Sequence, residues 1–149
     1  MLEICKAADG TSYTDRGQGD AVVLVHGGED SSAMALAEAL AASYRGIAMG
    51  LKGSPVAPGP AAASGQLRRL LDDLGIMAAN VIGHAQGAAV AVDFTLAHPM
   101  RVLRLALLNP PAEALAGKMA NIRCPALLAT GAEDTPSPPD VLRALALAA

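Results

Sequence analysis

Side chains capable of acid–base or nucleophilic chemistry are few in this sequence. Histidine occurs three times, at His26, His84 and His98, so a reaction needing an imidazole base must draw on one of these. Cysteine occurs twice, at Cys5 and Cys124, without metal-binding or redox spacing; both are expected to be small core residues of a reducing compartment. Two histidines without a third ligand make a poor zinc site, so no metal is expected. His98, just before Pro99, suits a helix C-terminus, where the macrodipole favours a cation. The most suggestive spacing is Gly83-His84-Ala85-Gln86-Gly87, placed where an apolar run gives way to a helical pattern. Nucleotide motifs are missing. No G-x-x-x-x-G-K-[ST] occurs, and Gly17-Gln18-Gly19 precedes a strand pattern where a dinucleotide fingerprint would follow one.

The elements that must position these residues follow from periodicity. Residues 4–8 and 11–14 around Asp9-Gly10 predict a β-hairpin with a two-residue turn. Residues 21–25, Ala-Val-Val-Leu-Val, are an unbroken β-branched run suited to a strand buried on both faces. A helix is expected over 33–43 and a weak strand over 46–49, then a Pro-, Ala- and Gly-rich loop over 50–64. Leu67, Leu70, Leu71 and Leu74 predict an amphipathic helix over 66–74, stopped by Gly75, with Asp72 and Asp73 on its solvated side. A strand over 79–82, a tight turn over 83–87 and a helix over 86–97 come next. Then follow a strand over 103–108 closed by Asn109-Pro110-Pro111, a helical stretch over 112–120, a strand over 126–130 and a helix from about 139. Strands alternating with helices predict one α/β domain spanning residues 1–149, with a mostly parallel sheet.

Composition supports this and excludes other classes. The chain has 149 residues, 52% hydrophobic and 17% charged, with a formal net charge of −3. That balance excludes disorder and offers no electrostatic footprint for nucleic acid. No apolar run reaches a membrane span, and the N-terminus has no signal-peptide core, so a cytoplasmic protein with neither membrane nor nucleic-acid partners is expected. Aromatics are only 2% (Tyr13, Tyr44, Phe94), while alanine fills 33 positions. The core must therefore be aliphatic and small.

The stretch Val81-Ile82-Gly83-His84-Ala85-Gln86-Gly87-Ala88 resembles the nucleophile elbow, G-x-S-x-G, of the α/β-hydrolase family, serine hydrolase or esterase type. Val25-His26-Gly27-Gly28 is similar to the family's strand end and oxyanion loop. His98-Pro99-Met100-Arg101-Val102 resembles its exit from the elbow helix, and Gly131-Ala132-Glu133-Asp134 its acid turn. The resemblance runs from about Gly10 to Asp134. It implies that Ala85 stands at the nucleophile position and Asp134 at the acid position, with Gly28, Gln86 and Gly27 as the oxyanion or ligand-binding donors. It places His26, Gly83, His84 and Gly87 as structural neighbours, His26 ordering the oxyanion loop and His84 packed under the turn.

Departures from the pattern shape the functional expectation. A methyl group replaces the nucleophile, and no histidine follows Asp134. The family's last strand, last helix and cap are expected to be missing. The chain is accordingly expected to be related to small-molecule ester or acyl hydrolases but inactive or nearly so. The alternatives are a non-catalytic anion- or small-ligand-binding or interaction protein, and an engineered or fragmentary scaffold. No cofactor is expected. A carboxylate or other small molecule is the expected ligand, because backbone N–H groups at a helix N-terminus favour an anion whatever the side chains. An exposed strand at 126–130 is expected to pair two copies into a homo-oligomer.

Overall fold

The computed structural model describes residues 4–6, 12–26, 31–50, 60–110 and 117–129. Its strands are β1 (Ile4–Lys6), β2 (Ser12–Arg16), β3 (Ala21–His26), β4 (Arg45–Gly50), β5 (Ala79–His84), β6 (Val102–Leu108) and β7 (Ala126–Ala129). They form one sheet in the order β1-β2-β4-β3-β5-β6-β7. The β1–β2 and β2–β4 pairs are antiparallel, and every other pair is parallel. The helices are α1 (Ser31–Leu40), α2 (Pro60–Asp73) and α3 (Gln86–Ala97). None of the described helices is long and apolar enough to cross a membrane.

Both faces of the sheet are covered, which is why β3 is an unbroken apolar run. Val23 and Val25 point to one side, packing with Leu67, Leu70 and Leu71 of α2 and Phe94 of α3. Val22 and Leu24 point to the other, with Leu36 and Leu40 of α1. The period of two splits one strand between two cores. The leucine stripe of α2 is core, as its spacing predicts. Gly75 closes that helix at φ 72, with its N–H donating to the Asp72 carbonyl and Ile76 N–H to that of Leu71.

Several elements differ from the sequence expectation for identifiable reasons. In the hairpin, Lys6 faces Ser12; a two-residue turn at Asp9-Gly10 would put Lys6 opposite Tyr13, so the observed register is not that of this turn. The residues between the arms lie outside those described. Helix α1 starts two residues earlier than expected and stops at Leu40. Its last turn tightens through Ala42 N–H to Ala39 and Ser43 N–H to Leu40. Strand β4 is a full six-residue strand held between β2 and β3. Helix α2 begins at Pro60, inside the expected loop, because proline is favoured in a first turn and Ala61–Ala63 are strong helix formers. In the stretch expected to be helical over 112–120, Gly117 has φ 68 and residues Met119–Asn121 form a single 3-10 turn; the rest of it, and the helix from 139, lie outside the described residues.

Two surface features follow from the same geometry. Ala79 faces Val102, but Asn80 faces Arg104, so Leu103 is an extra residue bulged out of β6 and half exposed. Asp72 is more than a solvated carboxylate: Arg68 reaches it at 3.0 Å and Arg101 at 2.9 Å. Arg101 also donates to the Ile76 and Met77 carbonyls, fastening the end of α2 to the start of β6.

Candidate functional site

Strand β5 is buried along its whole length, and α3 follows it after one residue. That residue, Ala85, has φ 52 and ψ −116, a conformation costing an L-residue about 1–3 kcal/mol and kept only where the surroundings impose it. Here the surroundings are two close approaches. A Cβ on Gly83 would lie 2.6 Å from the Ala88 Cα and 2.8 Å from the Ala91 Cβ, so α3 rests directly on β5. A Cβ on Gly87 would lie 2.0 Å from the Val25 carbonyl oxygen and 3.0 Å from the His26 nitrogen, so the first turn of α3 also rests on the end of β3. The turn is then pinned by Ala85 N–H donating to the Leu108 carbonyl at 2.9 Å and Ala88 N–H donating to the Ala85 carbonyl at 3.0 Å.

The chemistry this arrangement offers is that of a backbone, not of a side chain. The Ala85 methyl can neither attack nor transfer a proton. As the residue preceding α3, it also makes no side-chain cap hydrogen bond. The first N–H groups of a helix have no intrahelical partner, so those of Gln86 and Gly87 form a donor edge at the positive end of a twelve-residue helix. A carbonyl or carboxylate oxygen is the natural occupant of such an edge.

The three imidazoles are distributed as follows. His26 ends β3 and His84 ends β5, each one residue beyond the paired Val25 and Gly83; both are buried. The His26 ring lies against Gly50, whose added Cβ would be 3.1 Å from its Cε1. His98 closes α3 at its other end, about 18 Å along the axis. Its N–H donates to the Phe94 carbonyl, and its ring packs on Phe94 at 5.1 Å. Among the described residues no three His, Cys, Asp or Glu side chains gather as a metal site would need. Both cysteines are free and half-buried, and burial pushes the Cys124 thiol up. Gly27, Gly28 and Asp134 lie outside the described residues.

One residue beside the elbow carries no signal in the sequence beyond ending a strand. Asn109 follows β6 with φ 48 and is half-buried. Backbone conformation at a strand exit is set by tertiary packing, so neither spacing nor composition marks it.

Comparison with known proteins follows this geometry closely. The family described as alpha/beta hydrolase fold matches residues 20–123. The dihydrolipoyllysine-residue acetyltransferase component of the acetoin cleaving system of Cupriavidus necator is 35% identical over 107 residues, covering 66% of this chain and 29% of that protein. A 2-hydroxy-6-oxononadienedioate/2-hydroxy-6-oxononatrienedioate hydrolase of Pseudomonas putida is 36% identical over 111 residues, covering 65% and 39%. Among solved structures, the meta-cleavage product hydrolase of Pseudomonas fluorescens IP01, a serine-to-alanine mutant complexed with acetates, superposes with a TM-score of 0.62. It is 26% identical, over 73% of this chain and 45% of that one. The chain thus spans less than half the length of each of these proteins.

Proposed function

The chain belongs to the alpha/beta hydrolase fold family, and from that membership we propose that it carries an acyl-binding hydrolase site whose nucleophile position is Ala85, leaving it inactive or nearly so in ester hydrolysis. The observation that carries this reading is the backbone of Ala85 itself, φ 52 and ψ −116 between two glycines at which an added Cβ would run into neighbouring backbone. An elbow held this tightly presents residue 85 for attack, and the residue presented is a methyl group. The histidines support the reading as well: His26 and His84 are buried, and His98 lies at the far end of α3. The substrate class is small acyl or carbonyl compounds, the kind named for the P. putida hydrolase and the C. necator acetyltransferase component.

The test is hydrolysis of a chromogenic acetate ester by the 149-residue chain. The expected rate stays within the roughly 10³–10⁴-fold over water that oxyanion donors and binding retain when triad members are removed. Turnover in the ordinary enzyme range, about 1–10³ s⁻¹, overturns the proposal.

A second reading has its own support. In it the site holds a carboxylate without transforming it, using the N–H of Gln86 at the start of α3. The acetates bound by the serine-to-alanine mutant of the P. fluorescens hydrolase favour it, because that mutant also carries alanine where its parent had serine. Association of two copies is proposed through β7, which is bonded to β6 on one side and ends the sheet among the described residues. Light scattering is expected to show a concentration-dependent rise in mass; a monomer at every concentration refutes it.

A further inference from the structure

The described residues expose three large apolar side chains, and all three lie along one edge of the sheet. Met77 is 79% exposed, Met100 87% and Leu103 51%. Met77 stands just before β5, Met100 in the 3-10 turn Pro99–Arg101 before β6, and Leu103 in the bulge at the start of β6. Their backbones are brought together by Ala79 facing Val102 and by Arg101, whose Nε donates to the Met77 carbonyl at 2.6 Å. Pro99 and Pro125 are exposed at the same edge, the Pro125 carbonyl accepting from Leu105 N–H. Single exposed apolar residues are ordinary, but a gathering of them marks an interaction surface.

The charge beside this surface is mainly positive. Arg68 and Arg101 share Asp72, while Asp73 lies towards Tyr13 of β2. Arg104 donates to the neutral Asn80 amide oxygen at 3.3 Å, a bond that leaves its charge in place, and Arg123 is exposed two residues before Pro125. The chain as a whole carries −3, so the positive edge is a local arrangement. Its partner is therefore anionic. Two copies meeting here across a two-fold axis would set arginines against arginines. A helical peptide docks by laying its apolar face in a groove. Met77 and Met100 instead project almost unshielded from separate turns, the reverse of a groove. Projecting apolar tips with arginines beside them match a bilayer interface, where the tips reach the acyl boundary and the guanidinium groups stay among the headgroups.

We infer that the amino edge of β5, β6 and β7 docks on an anionic lipid surface, with Met77, Met100 and Leu103 entering it and Arg104 and Arg123 facing its headgroups. Such a peripheral contact needs neither a membrane-spanning segment nor a leader peptide, the two features on which the expectation of no membrane partner rests. The contact is independent of the acyl and carboxylate readings. Strand β5 is six residues long, about 20 Å, so the Ala85 turn at its other end stands away from the lipid and open to water.

Co-sedimentation of the 149-residue chain with vesicles tests this. With equal parts phosphatidylcholine and phosphatidylglycerol at low salt, half-binding is expected below about 1 mM lipid, and phosphatidylcholine alone is expected to need about tenfold more. Salt at about 0.5 M is expected to weaken the binding. Met100→Glu and Arg123→Glu change exposed side chains, so each is expected to keep the wild-type thermal midpoint while binding about fivefold more weakly or worse. Binding that Met100→Glu leaves unchanged overturns the inference, because charge alone would then hold the chain. Absence of binding to the anionic vesicles at about 5 mM lipid overturns it as well. An acidic amphipathic peptide that binds where those vesicles do not would assign the surface to a protein partner and refute the lipid one.

Discussion

Gly87→Ala is expected to cost about 3 kcal/mol or more of stability. Overpacking a well-filled core costs roughly 1–3 kcal/mol when side chains can shift. Here the obstacle is backbone: the new methyl would sit 2.0 Å from the Val25 carbonyl oxygen. Val25 lies in β3, which is hydrogen-bonded to β4 on one side and β5 on the other, so it cannot yield without breaking the centre of the sheet. The alternative is to lift α3 off both strands, which would also undo the Ala85 turn. Against a total stability of about 5–15 kcal/mol, a loss of this size takes a large share. Urea unfolding followed by circular dichroism measures it. A midpoint equal to wild type would mean that α3 does not rest on β3 as described.

Phe94→Ala is expected to cost about 3–5 kcal/mol, the usual range for emptying a phenylalanine site in a core. Phe94 is the single phenylalanine of the chain and is fully buried on α3, among the residues that join α2 and α3 to the sheet. The aliphatic side chains that share its cluster, mostly Val, Leu and Ala, already fill their own places, so the gap is expected to stay largely open. Its ring also supports His98 at the end of α3. Thermal unfolding separates the cases: a fall in midpoint of only a few degrees would place Phe94 in a region able to collapse around the gap.

Where the sequence was legible, one periodicity decided the outcome. The unbroken β-branched run at 21–25, bounded by turn residues, suits a strand covered on both faces and forms one, and α3 occupies the predicted 86–97 because glycine spacing starts it and Pro99 follows it. Legibility failed where two signals competed. Pro60 and the alanines after it looked like low-complexity loop, but proline at a helix start costs nothing and alanine propagates the helix once α2 packs on α3. The bulge at Leu103 depends on pairing with the distant strand β5, and the hairpin register on the turn between its two arms; alternation of residue types fixes neither. At the site, Gly83 and Gly87 were legible as spacing, whereas the reason for them, contact with Ala88 and Val25, belongs to the packing of α3 on β5 and β3. Asn109 was not legible at all, since an asparagine before proline also describes an ordinary loop.

The source of the Ala85 conformation has a consequence for protein engineering. The turn is imposed by Gly83, by Gly87 and by the seating of α3, and nothing in the alanine side chain helps to hold it. Position 85 is therefore a preset mount: its Cα–Cβ direction is decided before any functional group is attached. A thiol, a selenol or an unnatural reactive handle installed there would inherit that direction without redesign of the loop around it. Scaffolds usually have to be rebuilt to aim a new group, but here the aiming is already done by the backbone.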